Sequence, residues 1–163
     1  MGTEQGDVSL LQHPISQKLL QSKVWARLAY TWHDGTPRLV PVGFHWNGHE
    51  IVIGTAPDAP KMKVLHNGTK VALTIESDEP THVLMIRGSV RVDTVDGIAP
   101  EYAALCRRYM GDGEGQAWVD LLSAGLSRMS RIFIMPEWVG VLDFETRSHH
   151  WLEEAMARAQ GAS

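Results

Sequence analysis

The sequence predicts a mainly β domain: an antiparallel barrel of five or six strands with helices at its periphery. Three observations lead there. Two-residue hydrophobic alternation recurs in segment after segment from Val24 onward, short turn-forming stretches join the early segments, and an Asn47-Gly48 pair sits between two of them. Strands arriving in hairpin succession disfavour parallel βαβ winding, which needs a long crossover between successive strands.

The elements follow in order. Pro14 to about Ser22 predicts a short helix, because proline suits the first helical position and Ile15, Leu19 and Leu20 share a face. From Val24 to Trp32 the period becomes two, with Ala26, Leu28, Tyr30 and Trp32 on one side. His33-Asp34-Gly35-Thr36-Pro37 is a turn, and the next strand places Val40, Val42, Phe44 and Trp46 on one face, with Pro41 and Gly43 favouring an edge or bulge. Asn47-Gly48 predicts a two-residue hairpin turn with both residues at positive φ, returning as the strand Ile51 to Thr55. Between Thr55 and Lys70 a short helix is expected, with Asp58 as N-cap, Pro60 in the first turn and Asn67-Gly68 at its end.

Two further strands, Lys70 to Glu76 and Val83 to Val95, come next, and Gly88 inside the second marks a bulge or a close backbone approach. Helices are predicted over Pro100 to Met110, ended by Gly111, and over about Gly115 to Ser130. The last strand material is Arg131 to Ile134 and Val139 to Phe144, before a C-terminal helix over Trp151 to Gln160. No repeat or linker divides the 163 residues, so residues 1–163 are expected to form one domain with its core at about 22–144.

Composition narrows the function classes. The formal charge of −4 leaves no global basic field, so any anion must be caught by a local cluster and nucleic-acid binding is not expected. Cys106, the single cysteine, excludes an intrachain disulfide and fits a reducing, cytoplasmic setting. Its helical spacing from Tyr102 and Tyr109 marks it as a packed thiol. Neither a leader-like start nor a membrane-spanning apolar run is present in the sequence given. The eight histidines form no spaced ligand set with Cys106 or carboxylates, so no metal centre is expected. The six tryptophans are read as core and subunit-contact residues.

One local cluster does stand out. Arg38, Thr55, Lys61 and Lys63 fall at a strand start, a strand end and a following helical turn, where they can converge on a phosphate at a barrel rim. That chemistry suits a nucleotide-type cofactor. A small closed barrel fills its own interior with side chains, so a bulky cofactor must lie outside it, at a rim or between two copies of the chain.

These residues also carry a family likeness. Asp34-Gly35-Thr36-Pro37-Arg38-Leu39-Val40-Pro41-Val42, Ile51-Val52-Ile53-Gly54-Thr55, Lys61-Met62-Lys63-Val64-Leu65 and Lys70-Val71-Ala72-Leu73, in that order and spacing, resemble the flavin-binding proteins of the pyridoxamine-phosphate-oxidase-like superfamily, including its deazaflavin-using branch. The resemblance covers about Ser22 to Phe144. It implies a six-stranded split β-barrel, a homodimer, and a flavin-dependent oxidoreductase with FMN at the dimer interface acting on a small organic substrate. It places the strand Arg38-Val40-Pro41-Val42 beside the flavin ring, with Trp46 or Trp138 covering apolar surface, and Thr55, Lys61 and Lys63 on the phosphate.

Gly43 stands where the authentic pyridoxamine-phosphate oxidases carry a lysine, and their C-terminal histidine and arginine motif has no clear match around Arg147 to Trp151, so vitamin B6 oxidation is not expected. Two alternatives stay open. The deazaflavin coenzyme F420 would call on Lys63 and Lys70 for its longer acidic tail, and a non-catalytic flavin- or haem-binding module would draw on His149 or His150.

Overall fold

A computed structural model describes residues 4–77, 81–144 and 149–161. Seven strands form one antiparallel sheet: β1 (Ala26–Thr31), β2 (Pro37–Val42), β3 (His45–Trp46), β4 (Ile51–Thr55), β5 (Lys70–Ser77), β6 (His82–Asp96) and β7 (Arg128–Asp143). Their order across the sheet is β2-β1-β5-β6-β7-β4-β3. The two ends of that order, β2 and β3, are joined in the chain only by Gly43 and Phe44. Three Cα–Cα steps span at most about 11 Å, so the edges of the sheet must meet and the sheet must roll into a barrel.

This seam corrects the expected strand count. The single strand predicted from Leu39 to Trp46 is cut at Gly43-Phe44, and its halves pair with different partners, Ala26–Thr31 on one side and Ile51–Val52 on the other. Phe44, fully buried, plugs the seam. Inside the barrel the alternation holds: Ala26, Leu28 and Tyr30 of β1, Ile51 and Ile53 of β4, Leu73 and Ile75 of β5, Leu84 and Ile86 of β6, and Ile132 and Ile134 of β7 belong to one buried cluster. The short N-terminal helix α1 (Pro14–Leu20) adds Ile15, Leu19 and Leu20 to it, the face its sequence predicted.

The hairpin at Asn47-Gly48 is looser than expected. Only Gly48 has positive φ, at 100°, and β3 and β4 are linked by residues 47–50. Asn47 accounts for the difference, because its side-chain oxygen accepts from the backbone N–H groups of His49 and Glu50, at 2.9 and 2.7 Å, and so closes a four-residue turn. A side chain at Gly48 would meet open space, so Gly48→Val will cost only the conformational strain, about 1–2 kcal/mol in urea unfolding, and will leave ligand binding unchanged. Loss of binding with normal stability would contradict that assignment.

Between β6 and β7 the chain inserts two helices, α2 (Pro100–Met110) and α3 (Asp112–Gly125). The first matches its prediction and ends at Gly111. The second starts three residues earlier than predicted and stops at Gly125, because Arg128–Ser130 are already paired with Asp96–Thr94 in the sheet. Helix α2 packs on β4 and α3 packs on α2, and Gly54 sets the spacing of α2 from the strand: a Cβ there would lie 2.9 Å from Tyr102 Cβ. Strand β7 runs unbroken through Pro136, where two strands had been expected. Beyond Ile134 it no longer pairs with β4, so Pro136 has one strand neighbour, facing Gly88 of β6 at the bulge, a position where a missing N–H is tolerated. The helix α4 (His150–Gly161) closes the chain.

Candidate cofactor site

Strand β2 ends the sheet order and pairs with β1. Val42 is buried and Val40 packs against the core, whereas Arg38, Leu39 and Pro41 are exposed. The strand therefore offers a ligand its backbone edge and the outward side chains of Leu39 and Pro41, with Val40 and Val42 serving as anchors. The Arg38 guanidinium stands 5.7 Å from the centroid of the Trp32 ring.

Thr55 is the last residue of β4, paired across to the buried Ser130 of β7. It lines a groove of about 550 Å³ with Ala56, Tyr102, Leu122, Leu126 and Met129. Arg38, Lys61 and Lys63 are not among the residues of that groove. The chain then turns into a 3-10 segment, Pro60–Lys63, in place of the expected α-helical turn. Ala59 precedes it with no side-chain cap, and Asp58 is exposed, which corrects the N-cap assignment. So short a segment has no developed dipole, and the helix-terminus contribution to anion binding falls away with it.

Lys61 itself is the distinctive group. Met62 packs against the core and Lys63 is exposed, leaving Lys61 half-buried between them. Among the described residues its ammonium has no carboxylate partner. Burial pushes its pKa below the ordinary 10.5. A charge held this way is poorly solvated and uncompensated, which is the condition an anionic ligand relieves.

Lys70 is committed elsewhere. It reaches Glu137 at 2.7 Å, and that carboxylate also accepts from Ser89 at 2.7 Å, so Lys70 is paired rather than free to meet an acidic tail. The Trp138 ring lies 4.0 Å from the Arg87 guanidinium, and Trp46 packs against the core, so neither is shown over β2. His150 pairs with Glu154 at 3.3 Å and His149 meets the Phe144 ring edge-on, both exposed. Arg147 lies outside the described residues. No group of three or more His, Cys, Asp or Glu among the described residues could hold a metal ion.

A feature the sequence did not announce is the way α2 is pinned to the barrel. Arg131 of β7 donates two bonds of 2.8 Å to Asp93 of β6 and a third, of 3.1 Å, to Glu101 in the first turn of α2. Asp93 is the chief cause that raises the Arg131 pKa further, with Glu101 adding to it. At the other end of α2, Arg108 donates to the Phe44 carbonyl in the barrel seam. His45, half-buried beside Arg108, has its pKa lowered first by burial and then by that guanidinium. Tyr102 is thus held between two fixed points, against Gly54 and next to Thr55.

No family model matches the sequence, and no curated protein does. Solved structures do. An F420 reductase is 23% identical, with 76% of this chain and 94% of that one covered at a TM-score of 0.57. The FAD- and haem-binding protein of Mycobacterium smegmatis is 20% identical, with 85% and 74% covered at 0.54. A protein of Clostridium acetobutylicum related to general stress protein 26, of the pyridoxinephosphate oxidase family, is 18% identical, with 85% and 91% covered at 0.55. Identities at this level carry the fold. No described helix is long and apolar enough to cross a membrane. By strand order, by the seam between β2 and β3 and by these likenesses, the chain has a split β-barrel fold, shared with these structures.

Proposed function

We propose that the protein is a flavin-dependent oxidoreductase that holds FMN along β2, with the phosphate between Thr55 and Lys61 and a second copy of the chain covering the ring. The supporting observation is Lys61: a half-buried ammonium without a carboxylate partner among the described residues, one short turn beyond Thr55, on a split barrel. The residues present fit a phosphate-bearing group, since Thr55 supplies a hydroxyl, Lys61 a desolvated positive charge, and the edge of β2 supplies free backbone donors and acceptors for a ring with a polar rim. Leu39, 65% exposed on the outer side of β2, is apolar surface that a bound ring or a second copy would cover.

When bound, such a cofactor supplies hydride transfer through its central ring. The protein's part is placement: Val40 and Val42 anchor β2 to the core, and the Thr55 groove would offer largely apolar side chains to the bound group. The deazaflavin coenzyme F420 is the second member of the same cofactor class. Lys63 is exposed and unpaired among the described residues, whereas Lys70 is already bonded to Glu137, so a longer acidic tail would find one of its two expected lysines engaged. That favours FMN.

Charge at Lys61 gives a pH test. The protonated amine binds phosphate, so affinity is complete while Lys61 is charged and falls as pH rises through its lowered pKa, earlier than for a lysine titrating at the ordinary 10.5. In Lys61→Arg the guanidinium stays charged over the whole range and the fall should vanish. FMN titrations followed by flavin fluorescence from neutral pH upward check this. Wild-type affinity as flat as that of the arginine variant would place the phosphate elsewhere.

A further inference from the structure

Sharing Tyr102 with the Thr55 groove is a second cavity, of about 300 Å³, lined by Trp25, Gly43, Tyr102, Leu105, Cys106 and Trp118 together with Tyr109 and Met110. Its size is at the small end of ligand pockets, and its lining contains no charged side chain. Four aromatic rings wall it. Trp25 and Tyr109 stand edge to face at 5.9 Å and 82°, and Trp25, Met110 and Trp118 remain 53%, 41% and 39% exposed, giving the mouth an apolar surface. Gly43 opens the floor: a Cβ there would come within 3.0 Å of Leu105 Cδ2.

The polar chemistry inside is confined to one spot. Trp118 Nε1 donates to the Tyr102 hydroxyl at 3.4 Å, and the tyrosine O–H in turn donates to the Cys106 sulfur. Cys106, 6% exposed, is its neighbour on the next turn of α2 and a weak acceptor. Burial raises the pKa of both groups, so the tyrosine stays a neutral donor and the thiol stays protonated. Tyr102 also lines the Thr55 groove, so the two spaces share a wall.

We infer that this cavity binds a neutral, flat aromatic compound bearing a carbonyl group, with the ring among Trp25, Tyr109 and Trp118 and the carbonyl accepting from Tyr102. Aromatic walls select a ring, the absence of charge excludes an acid or amine, and the Tyr102 hydroxyl, whose present acceptor is only the weak Cys106 sulfur, selects a stronger acceptor such as a carbonyl. As a substrate chamber the cavity rests on the flavin reading above; as a binding site it does not, and it can be tested without cofactor.

The probes are 2-acetylnaphthalene and its near-isostere 2-ethylnaphthalene, which lacks the acceptor, titrated into the full chain by tryptophan fluorescence and calorimetry. The acetyl compound should bind about fivefold more tightly than the ethyl compound, and Tyr102→Phe should reduce that ratio to near one while leaving ethylnaphthalene affinity in place. Saturation with either should slow alkylation of Cys106, the only thiol in the chain. Gly43→Leu, which projects a side chain toward Leu105 in the cavity, should abolish binding of both. If that variant fails to fold, the Tyr102→Phe ratio and the alkylation rates decide alone.

Absence of binding by both naphthalenes, an acetyl preference that survives Tyr102→Phe, or Cys106 alkylation unaffected by saturation would each overturn the inference. Naphthalene binding in a protein that takes up no flavin would sink the cofactor reading and leave the cavity standing. Flavin binding without naphthalene binding would do the reverse.

Discussion

Replacing Lys61 with alanine will weaken FMN binding by about 1.5–3 kcal/mol, roughly ten- to a hundredfold or more in Kd, and leave the fold intact. The size of the effect comes from the environment of the amine. An exposed lysine would add little to a phosphate contact, because water already solvates it. Lys61 is half-buried without a carboxylate partner among the described residues, so its charge is paired for the first time when the anion arrives. The fold should be indifferent or slightly favoured, since removing a desolvated charge relieves a cost. Isothermal titration with FMN, alongside thermal unfolding of the free protein, measures both. Lys63→Ala, at an exposed position, is the control and should change affinity far less. Equal losses at the two lysines would mean a diffuse field rather than a seat for the phosphate.

Gly88→Ala will destabilise the protein by about 3 kcal/mol or more, with a matching drop in the urea midpoint. The register of β6 against β7 shifts between Arg87 and Gly88: Arg87 faces Trp138 and Gly88 faces Pro136, so Glu137 is left over as the bulged residue. A Cβ on Gly88 would sit 2.1 Å from the Met135 carbonyl oxygen, which is backbone and cannot rotate away. Relief would require separating two long strands at the place where the barrel bends. Retention of the parental midpoint would show that the bulge is soft. The same bulge aims Glu137 at Lys70 and Ser89, so the variant should also loosen that ion pair.

Much of this architecture was legible from residue order. Alternation in β1, the proline start of α1 and α2, and Gly111 as a stop all report local preferences that nothing in the tertiary structure opposes. The glycine at position 88 was readable for the same reason: only a close approach explains its place within a long apolar-alternating run. The failures share a different cause. Leu39 to Trp46 keeps one alternating pattern across Gly43-Phe44, and no local signal says that its halves belong to opposite ends of a sheet; barrel closure decides that. Pro136 reads locally as a break, yet β7 passes through it because β4 has ended there and the remaining pairing, to Gly88 of β6, is at a bulge. Asp58 has the chemistry of a cap but the segment that follows is a 3-10 turn too short to need one.

The site divides along the same line. The sequence proposed β2, Thr55 and Lys61 as cofactor contacts by resemblance and by residue type. It could not tell a desolvated lysine from a solvated one, which is why Lys61 and Lys63 looked alike until burial separated them. Tyr102, Cys106 and Tyr109 were visible as a helical stripe and were read as packing. Their second role depends on α3 bringing Trp118 to within 3.4 Å of Tyr102, a contact between residues sixteen apart that a stripe on one helix does not encode.

Titration of the purified protein with FMN, followed by quenching of flavin fluorescence and repeated with the deazaflavin coenzyme F420, addresses the central claim most directly. Saturable FMN binding that weakens in Lys61→Ala and not in Lys63→Ala is the predicted result. A protein that takes up neither cofactor, or that binds FMN equally well without Lys61, contradicts it.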